Sequence, residues 1–155
     1  MTSLPAFKHW TLVIERWDFL VEGGFVNFPA ELRYTKTHEW VRKDGDKVVV
    51  GITDYAQHEI SDVVFVELPH VGQRVEQAKA ISVVESVKAA FDIYTPVSGS
   101  VKAINTMLES DPALVNQDPY GKGWFFELTP AKPKEWDDLL TRDQYEQMIR
   151  QGAKG

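Results

Sequence analysis

The chain is predicted to fold as a mainly β domain with short helices and a helical C-terminal segment, on three observations. Short runs rich in β-branched and aromatic residues recur between turn formers, as in Lys47-Val48-Val49-Val50 and Val63-Val64-Phe65-Val66. The step Asp44-Gly45-Asp46 joins two such runs, and Asp-Gly is a hairpin signal because both residues tolerate positive φ. Beyond Pro133 the apolar residues recur at helical spacing instead.

Taken in order from Leu32, the first hairpin is Trp40-Val41-Arg42-Lys43 and Lys47-Val48-Val49-Val50 about Asp44-Gly45-Asp46. Asp54 and Gln57 have capping-box spacing, which predicts a short helix to about Ile60. Val63 to Leu68 predicts a buried strand ending at Pro69, and Val71-Gly72-Gln73-Arg74-Val75 a turn. Ala80 to Val84 and Ile93 to Val97 predict two strands of similar length; Pro96 belongs at a strand end, and Gly99 suits a tight reversal. Ser98 to Ile104 follows as another strand, with Asn105 able to cap a turn containing Met107 and Leu108, and Trp124 to Leu128 returns to the sheet. Pro133 fits a first helical turn, with Trp136, Leu139 and Leu140 on one face. Thr141 and Gln144 make a second capping box before Tyr145, Met148 and Ile149, an apolar stripe that packs on the sheet.

Composition narrows the function. A chain of 155 residues, 43% of them hydrophobic, makes one domain that buries roughly two-thirds of its unfolded surface. The net charge of −6, with the two signs interspersed, argues against a nucleic-acid surface and suits basic protein partners. Cysteine is absent, which removes disulfides, thiolate metal sites and a cysteine nucleophile, so any sulfur redox chemistry must sit on an attached group. His9, His38, His58 and His70 form no two-histidine ligand pattern, and Gly121-Lys122-Gly123 lacks the spacing of a phosphate loop. No nucleophile elbow for serine catalysis occurs either.

Residues 1–27 are unlike the rest. Trp10, Trp17, Phe19 and Phe25 lie among Glu15, Asp18 and Glu22, so there is no apolar stretch for a signal peptide or a membrane helix, and no basic amphipathic transit pattern. The expectation is a loosely packed, atypical N-terminal extension arising by upstream read-through, with the natural start near Val26. A genuine amphipathic arm is the alternative.

Between the two central strands lies Val84-Glu85-Ser86-Val87-Lys88-Ala89-Ala90-Phe91-Asp92, which puts Lys88 near the tip of a β-hairpin. Its immediate neighbours Val87 and Ala89 are uncharged and leave the ε-amine uncrowded, while Glu85 and Asp92 make the tip acidic. An amine presented away from a rigid sheet reads as an attachment point for a covalent group, against the plainer reading of a solvated surface charge.

Glu85-Ser86-Val87-Lys88-Ala89-Ala90, with Asp92 and Pro96-Val97-Ser98-Gly99, resembles the lipoyl-attachment motif of the glycine cleavage H-protein family. The similarity extends, in family order, to Tyr34-Thr35-Lys36-Thr37-His38-Glu39-Trp40, Val50 to Gln57, Asp62 to Pro69, and Leu114 to Trp124. It covers roughly residues 28–150, and residues 28–155 are taken as the lipoyl-binding domain.

The resemblance implies a lipoyl-type fold, a flattened β-barrel or sandwich, with lipoate amide-linked to Lys88. It implies a non-catalytic carrier that takes an aminomethyl group from glycine decarboxylase (P protein) to aminomethyltransferase (T protein). Dihydrolipoamide dehydrogenase (L protein) reoxidises the arm, and a lipoate-attaching enzyme loads it. A cytoplasmic monomer is the default expectation, assuming a prokaryotic source. Lysine plus lipoyl reaches roughly 14 Å, counted as ordinary bonds. Thr37, Glu39 and Asp92 match positions at which the family makes polar contacts to the loaded arm, the two carboxylates holding the amine as a cation and Thr37 supplying a hydroxyl; Glu85 belongs to the attachment motif. An H-like carrier in lipoate relay is the alternative. A biotinyl carrier fits less well, since Val87 and Ala89 stand where methionines are expected. Phe91 and Ser61 depart from the family pattern, which commonly has a small residue and a glycine there.

Overall fold

The computed structural model describes residues 18–21 and 24–154; the expectations for residues 1–17 lie outside the described residues. β1 (Asp18–Val21) pairs antiparallel with β2 (Gly24–Asn27). Val26 is buried, and the Asn27 N–H donates to Asp54 Oδ2 at 2.9 Å, which joins this end to the rest of the domain.

The remaining strands are β3 (Arg33–Tyr34), β4 (Glu39–Asp44), β5 (Lys47–Ile52), β6 (Val63–Glu67), β7 (Arg74–Val75), β8 (Ala80–Ser86), β9 (Ala90–Tyr94), β10 (Gly99–Ile104) and β11 (Phe126–Pro130). Among the described residues they form a six-stranded sheet in the order β3-β4-β5-β11-β10-β7 and a three-stranded sheet in the order β6-β8-β9. The helices are α1 (Asp54–Ile60), α2 (Met107–Ser110), α3 (Leu114–Gln117), a 3-10 helix (Pro133–Asp138) and α4 (Arg142–Lys154). The predicted mainly β class with short helices and a helical C-terminus is what the chain adopts.

The two sheets enclose one core, in which Val41, Val50 and Leu128 meet Val66, Val84 and Ile93. A second cluster joins Trp40 and Val49 to Phe28, Tyr34, Tyr145 and Ile149. Successive residues of a strand face opposite ways, so Trp40 and Val41, like Val49 and Val50, serve different cores. That is why β5 reads as an unbroken apolar run. Trp40 lies over its cross-strand partner Gly51, where an added Cβ would stand 2.7 Å from the indole.

Several local expectations are corrected. The first hairpin turns at Gly45 and Asp46, since Asp44 pairs with Lys47, and only Gly45 takes a positive φ, +67°; glycine at the first of two turn positions is the II′ pattern. Thr53, not Asp54, caps α1: its Oγ1 accepts the Ala56 N–H at 3.1 Å. Asp54 sits in the first turn and accepts from Gln57 Nε2 at 2.7 Å. β6 is not buried throughout, because a register shift between Val63 and Phe65 turns Val64 and Phe65 outward, 54% and 49% exposed. The strand around Tyr94 runs from Ala90 to Tyr94 and stops ahead of Pro96, which has no N–H to give. Leu139 and Leu140 lie beyond the 3-10 helix. Leu140 instead exchanges main-chain bonds with Tyr34, at 2.8 Å in each direction.

The C-terminal capping box forms as predicted: Gln144 N–H donates to Thr141 Oγ1 at 3.3 Å and Thr141 N–H to Gln144 Oε1 at 2.9 Å. It starts α4 so that Tyr145 and Ile149 reach the second cluster.

Ser61 ends α1 at φ +70°, ψ −158°, a region that side chains other than glycine occupy only under strain. Replacing Ser61 with Gly is therefore expected to stabilise the fold by about 1 kcal/mol, a rise in Tm of roughly 2–4 °C. A thermal melt checks this; an unchanged or lower Tm would remove strain at Ser61 from the account.

Candidate functional site

Lys88 lies where the sequence predicts, in the turn between β8 and β9, and is exposed. Ser86 ties that turn. Its N–H donates to the Ala89 carbonyl at 2.9 Å, and its Oγ accepts the N–H groups of Lys88 and Ala89 at 3.1 and 3.4 Å. A hydroxyl that satisfies its own turn is a common device for serine. The Val87 N–H bonds the Asp62 carbonyl at 3.0 Å, fastening the tip to the loop after α1, while the Val87 side chain stays 66% exposed. Lys88 Nζ donates to the main-chain carbonyl of Glu59, 3.0 Å away.

Glu59 belongs to the wall of a cleft of about 290 Å³ between α1 and β9. Thr37, His38, Tyr55, Phe91 and Asp92 line the same cleft. Phe91, 37% exposed, pairs in register with buried Val84 and shares its face, so it forms an apolar wall. Asp92, itself exposed, contributes to the rim from β9.

Glu39 does not open into this cleft. It is 0% exposed. Its Oε1 accepts from the hydroxyls of Thr35 and Thr37, both at 2.5 Å, and its Oε2 accepts the Tyr94 N–H at 3.0 Å. Burial pushes its carboxyl above the ordinary value, and the bonds from Thr35, Thr37 and Tyr94 oppose that shift. A separate hollow of about 230 Å³, lined by Thr35, Lys36, Thr37, Glu39 and Tyr94, lies on its side. Thr37 is thus the wall common to both hollows, and Glu39 stands behind it. Glu85 pairs with Ala90 and Phe65 and neighbours inward-facing Val84, which puts it on the outer face of the sheet, away from the cleft. Of the residues singled out in the sequence, Thr37 and Asp92 therefore share the cleft beside the Lys88 anchor.

Beyond its place in the Tyr34–Trp40 motif, nothing in the sequence marks His38 as part of the site. It adopts a positive φ, +77°, which is uncommon outside glycine but which histidine takes more readily than most side chains, and its Nδ1 lies 2.7 Å from Tyr145 Oη, which is 2.8 Å from Thr53 Oγ1. Thr53 is fully buried and accepts the Ala56 N–H, and one order of protons consistent with these distances runs from Thr53 to Tyr145. In that order Tyr145 donates to His38 Nδ1, and the proton of the neutral ring stays on Nε2. Burial lowers the His38 pKa and favours that neutral form. The link spans a sequence separation of 107 residues, which no local pattern signals.

The profile of the glycine cleavage H-protein family matches residues 32–152. The chain is 52% identical over 128 residues to the glycine cleavage system H protein of Thermus thermophilus, covering 83% of this chain and 100% of that one. It is 55% identical over 121 residues to that of Psychrobacter arcticus, covering 77% and 96%. The crystal structure of the H protein from Mycobacterium marinum superposes with a TM-score of 0.71 at 36% identity, over 79% of this chain and 98% of that one.

Two outcomes follow from the geometry. Nitrogen NMR of His38 should place the proton on Nε2, and Tyr145→Phe should let the Nδ1–H tautomer appear; a wild-type proton on Nδ1 would refute the chain of donors. Glu39→Leu removes both oxygens and leaves the Tyr94 N–H and the Thr35 and Thr37 hydroxyls without their acceptor, so unfolding in urea should show a loss of about 1–3 kcal/mol. Unchanged stability would mean the carboxylate is not held as described.

Proposed function

The chain belongs to the glycine cleavage H-protein family, and on that premise we propose that Lys88 is the residue that carries the family's lipoyl group. As a member, it is a lipoyl carrier of glycine cleavage: a component that moves a group between enzymes and is not itself a catalyst. The observation that carries the assignment to Lys88 is its position at an exposed hairpin tip whose backbone is fixed by Ser86 and Asp62. A rigid base under an exposed amine gives a modifying enzyme a defined target.

The residues present fit the group. The cleft beside Lys88 offers the apolar wall of Phe91 and Tyr55 to a hydrocarbon arm and the polar rim of Thr37 and Asp92 to a charged cargo. When bound, lipoate supplies the dithiol that this cysteine-free chain lacks, and with it group transfer and redox exchange. The hydroxyl proton of Thr37 is committed to Glu39, so Thr37 faces the cleft as an acceptor. Its lone pairs, together with the Asp92 carboxylate, favour a protonated amine over a neutral one. Glu39 acts through Thr37, as a positioning residue, rather than by touching the cargo.

Family membership implies interaction with the other glycine cleavage components. We assign these as glycine decarboxylase, aminomethyltransferase and dihydrolipoamide dehydrogenase, with a lipoate-attaching enzyme acting first. The exposed Val64, Phe65 and Val87 near the tip, with Glu85 on the same outer face, support a docking role for this end of the molecule. Among the described residues no helix is long and apolar enough to cross a membrane, and the reading places the carrier in the cytoplasm.

Intact mass and peptide mapping of protein from its own host should find a lipoyl increment on the Lys88 peptide. A bare lysine there in a lipoate-replete host would overturn the assignment. Lys88→Arg should melt as the wild type does and accept no aminomethyl group; retained acceptance would exclude Lys88 as the carrier.

A further inference from the structure

The main-chain carbonyl of Glu59 is one of the last in α1, and a helix leaves its final carbonyls without intrahelical partners. The residue that would continue the ladder, Val63, gives its N–H to Asn116 Oδ1 at 2.9 Å instead. Asn116 also donates through Nδ2 to the Ser61 carbonyl at 2.9 Å and to Gln57 Oε1 at 3.0 Å. One side chain from α3 thus fixes the end of α1, and the Glu59 carbonyl is left pointing at Lys88 Nζ, 3.0 Å away.

Acylation of Lys88 by an activated acyl donor joins the acyl carbon to Nζ as the bond to the activating group breaks and that group leaves, and it removes the charge and two of the three ammonium protons. One N–H remains. One N–H is also all that the contact with Glu59 uses, so joining an arm to the lysine leaves this bond available. An amide N–H donates less strongly than an ammonium, but its direction is fixed by the plane of the peptide-like group.

We infer that the main-chain carbonyl of Glu59, held in place by Asn116, anchors the root of the lipoyl arm. It takes the Nζ–H both before and after acylation, and so holds the arm at the mouth of the cleft that Glu59 helps to line. The side chain at position 59 has no part in this, and Asn116 is a positioning residue. The inference rests on Lys88 being the lipoylated residue.

The test is hydrogen exchange at the ε-amide of lipoyl-Lys88, followed by NMR in the whole lipoylated protein, with the modification verified by mass. The wild type should exchange about tenfold more slowly than the same amide in unfolded protein, the size expected of one ordinary hydrogen bond, and should show a nuclear Overhauser contact from the amide proton to the α-proton of Glu59 or Ile60. Asn116→Asp, which lacks the Nδ2 donor, should lose most of the protection, and Glu59→Ala should keep it. Exchange at the unfolded rate in the wild type, or loss of protection in Glu59→Ala alone, would overturn the anchor. Absence of a lipoyl group from Lys88 would instead overturn the carrier assignment, and mass spectrometry reads that separately.

Discussion

A buried carboxylate joins the two sheets, and much of the site depends on it. Glu39 opens β4 in the six-stranded sheet and takes the N–H of Tyr94, the last residue of β9 in the three-stranded sheet. An ion removed from water costs several kcal/mol unless its oxygens are satisfied. Here both hydroxyls of Thr35 and Thr37 and the Tyr94 amide satisfy them. Those donors are available in one arrangement of the loop before β4, which sets the wall that Thr37 presents to the cleft. The pairing of sheets and the polarity of the cleft thus come from the same carboxylate.

The opposite requirement holds at the hairpin tip. A carrier residue must be free in its side chain and fixed in its backbone, and the turn at Lys88 meets both through bonds that leave the amine outside: Ser86 closes the turn, and Asp62 holds Val87. The end of α1 supplies a partner for Nζ, the Glu59 carbonyl, and Asn116 braces that end from α3. α1 and α3, which also bury Ile60, Leu114 and Val115 in the core, position this corner.

His38 connects the cleft to the far end of the chain. Its ring lines the cleft while its Nδ1 faces Tyr145 on α4. Tyr145 is fully buried, stacked on Tyr34 with centroids 4.8 Å apart. A positive φ at His38 is tolerated because these contacts over-determine it. The two departures from the family pattern act in different places. Ser61 carries backbone strain at a helix end, whereas Phe91 widens the apolar wall that faces the cleft.

The class of fold, the hairpin that presents Lys88 and the capping box of the C-terminal helix were legible in the sequence, because each follows from residues close together along the chain. Periodicity, turn formers and caps act over a few residues, and the dispersed motifs placed the chain beside a family. What the sequence could not decide is which polar groups meet. Thr37, Glu39 and Asp92 stood out together by resemblance, yet only Thr37 and Asp92 share the cleft, and Glu39 is sealed behind Thr37. Glu85, next to the lysine in the motif, lies on the outer face, since alternation along β8 turns it away from Val84. Val63 to Leu68 read as buried until a register shift put Val64 and Phe65 outside. The links from His38 to Tyr145 and from Asn116 to the end of α1 join residues distant in sequence. Such bonds depend on how sheets and helices pack, and packing was left to the tertiary structure.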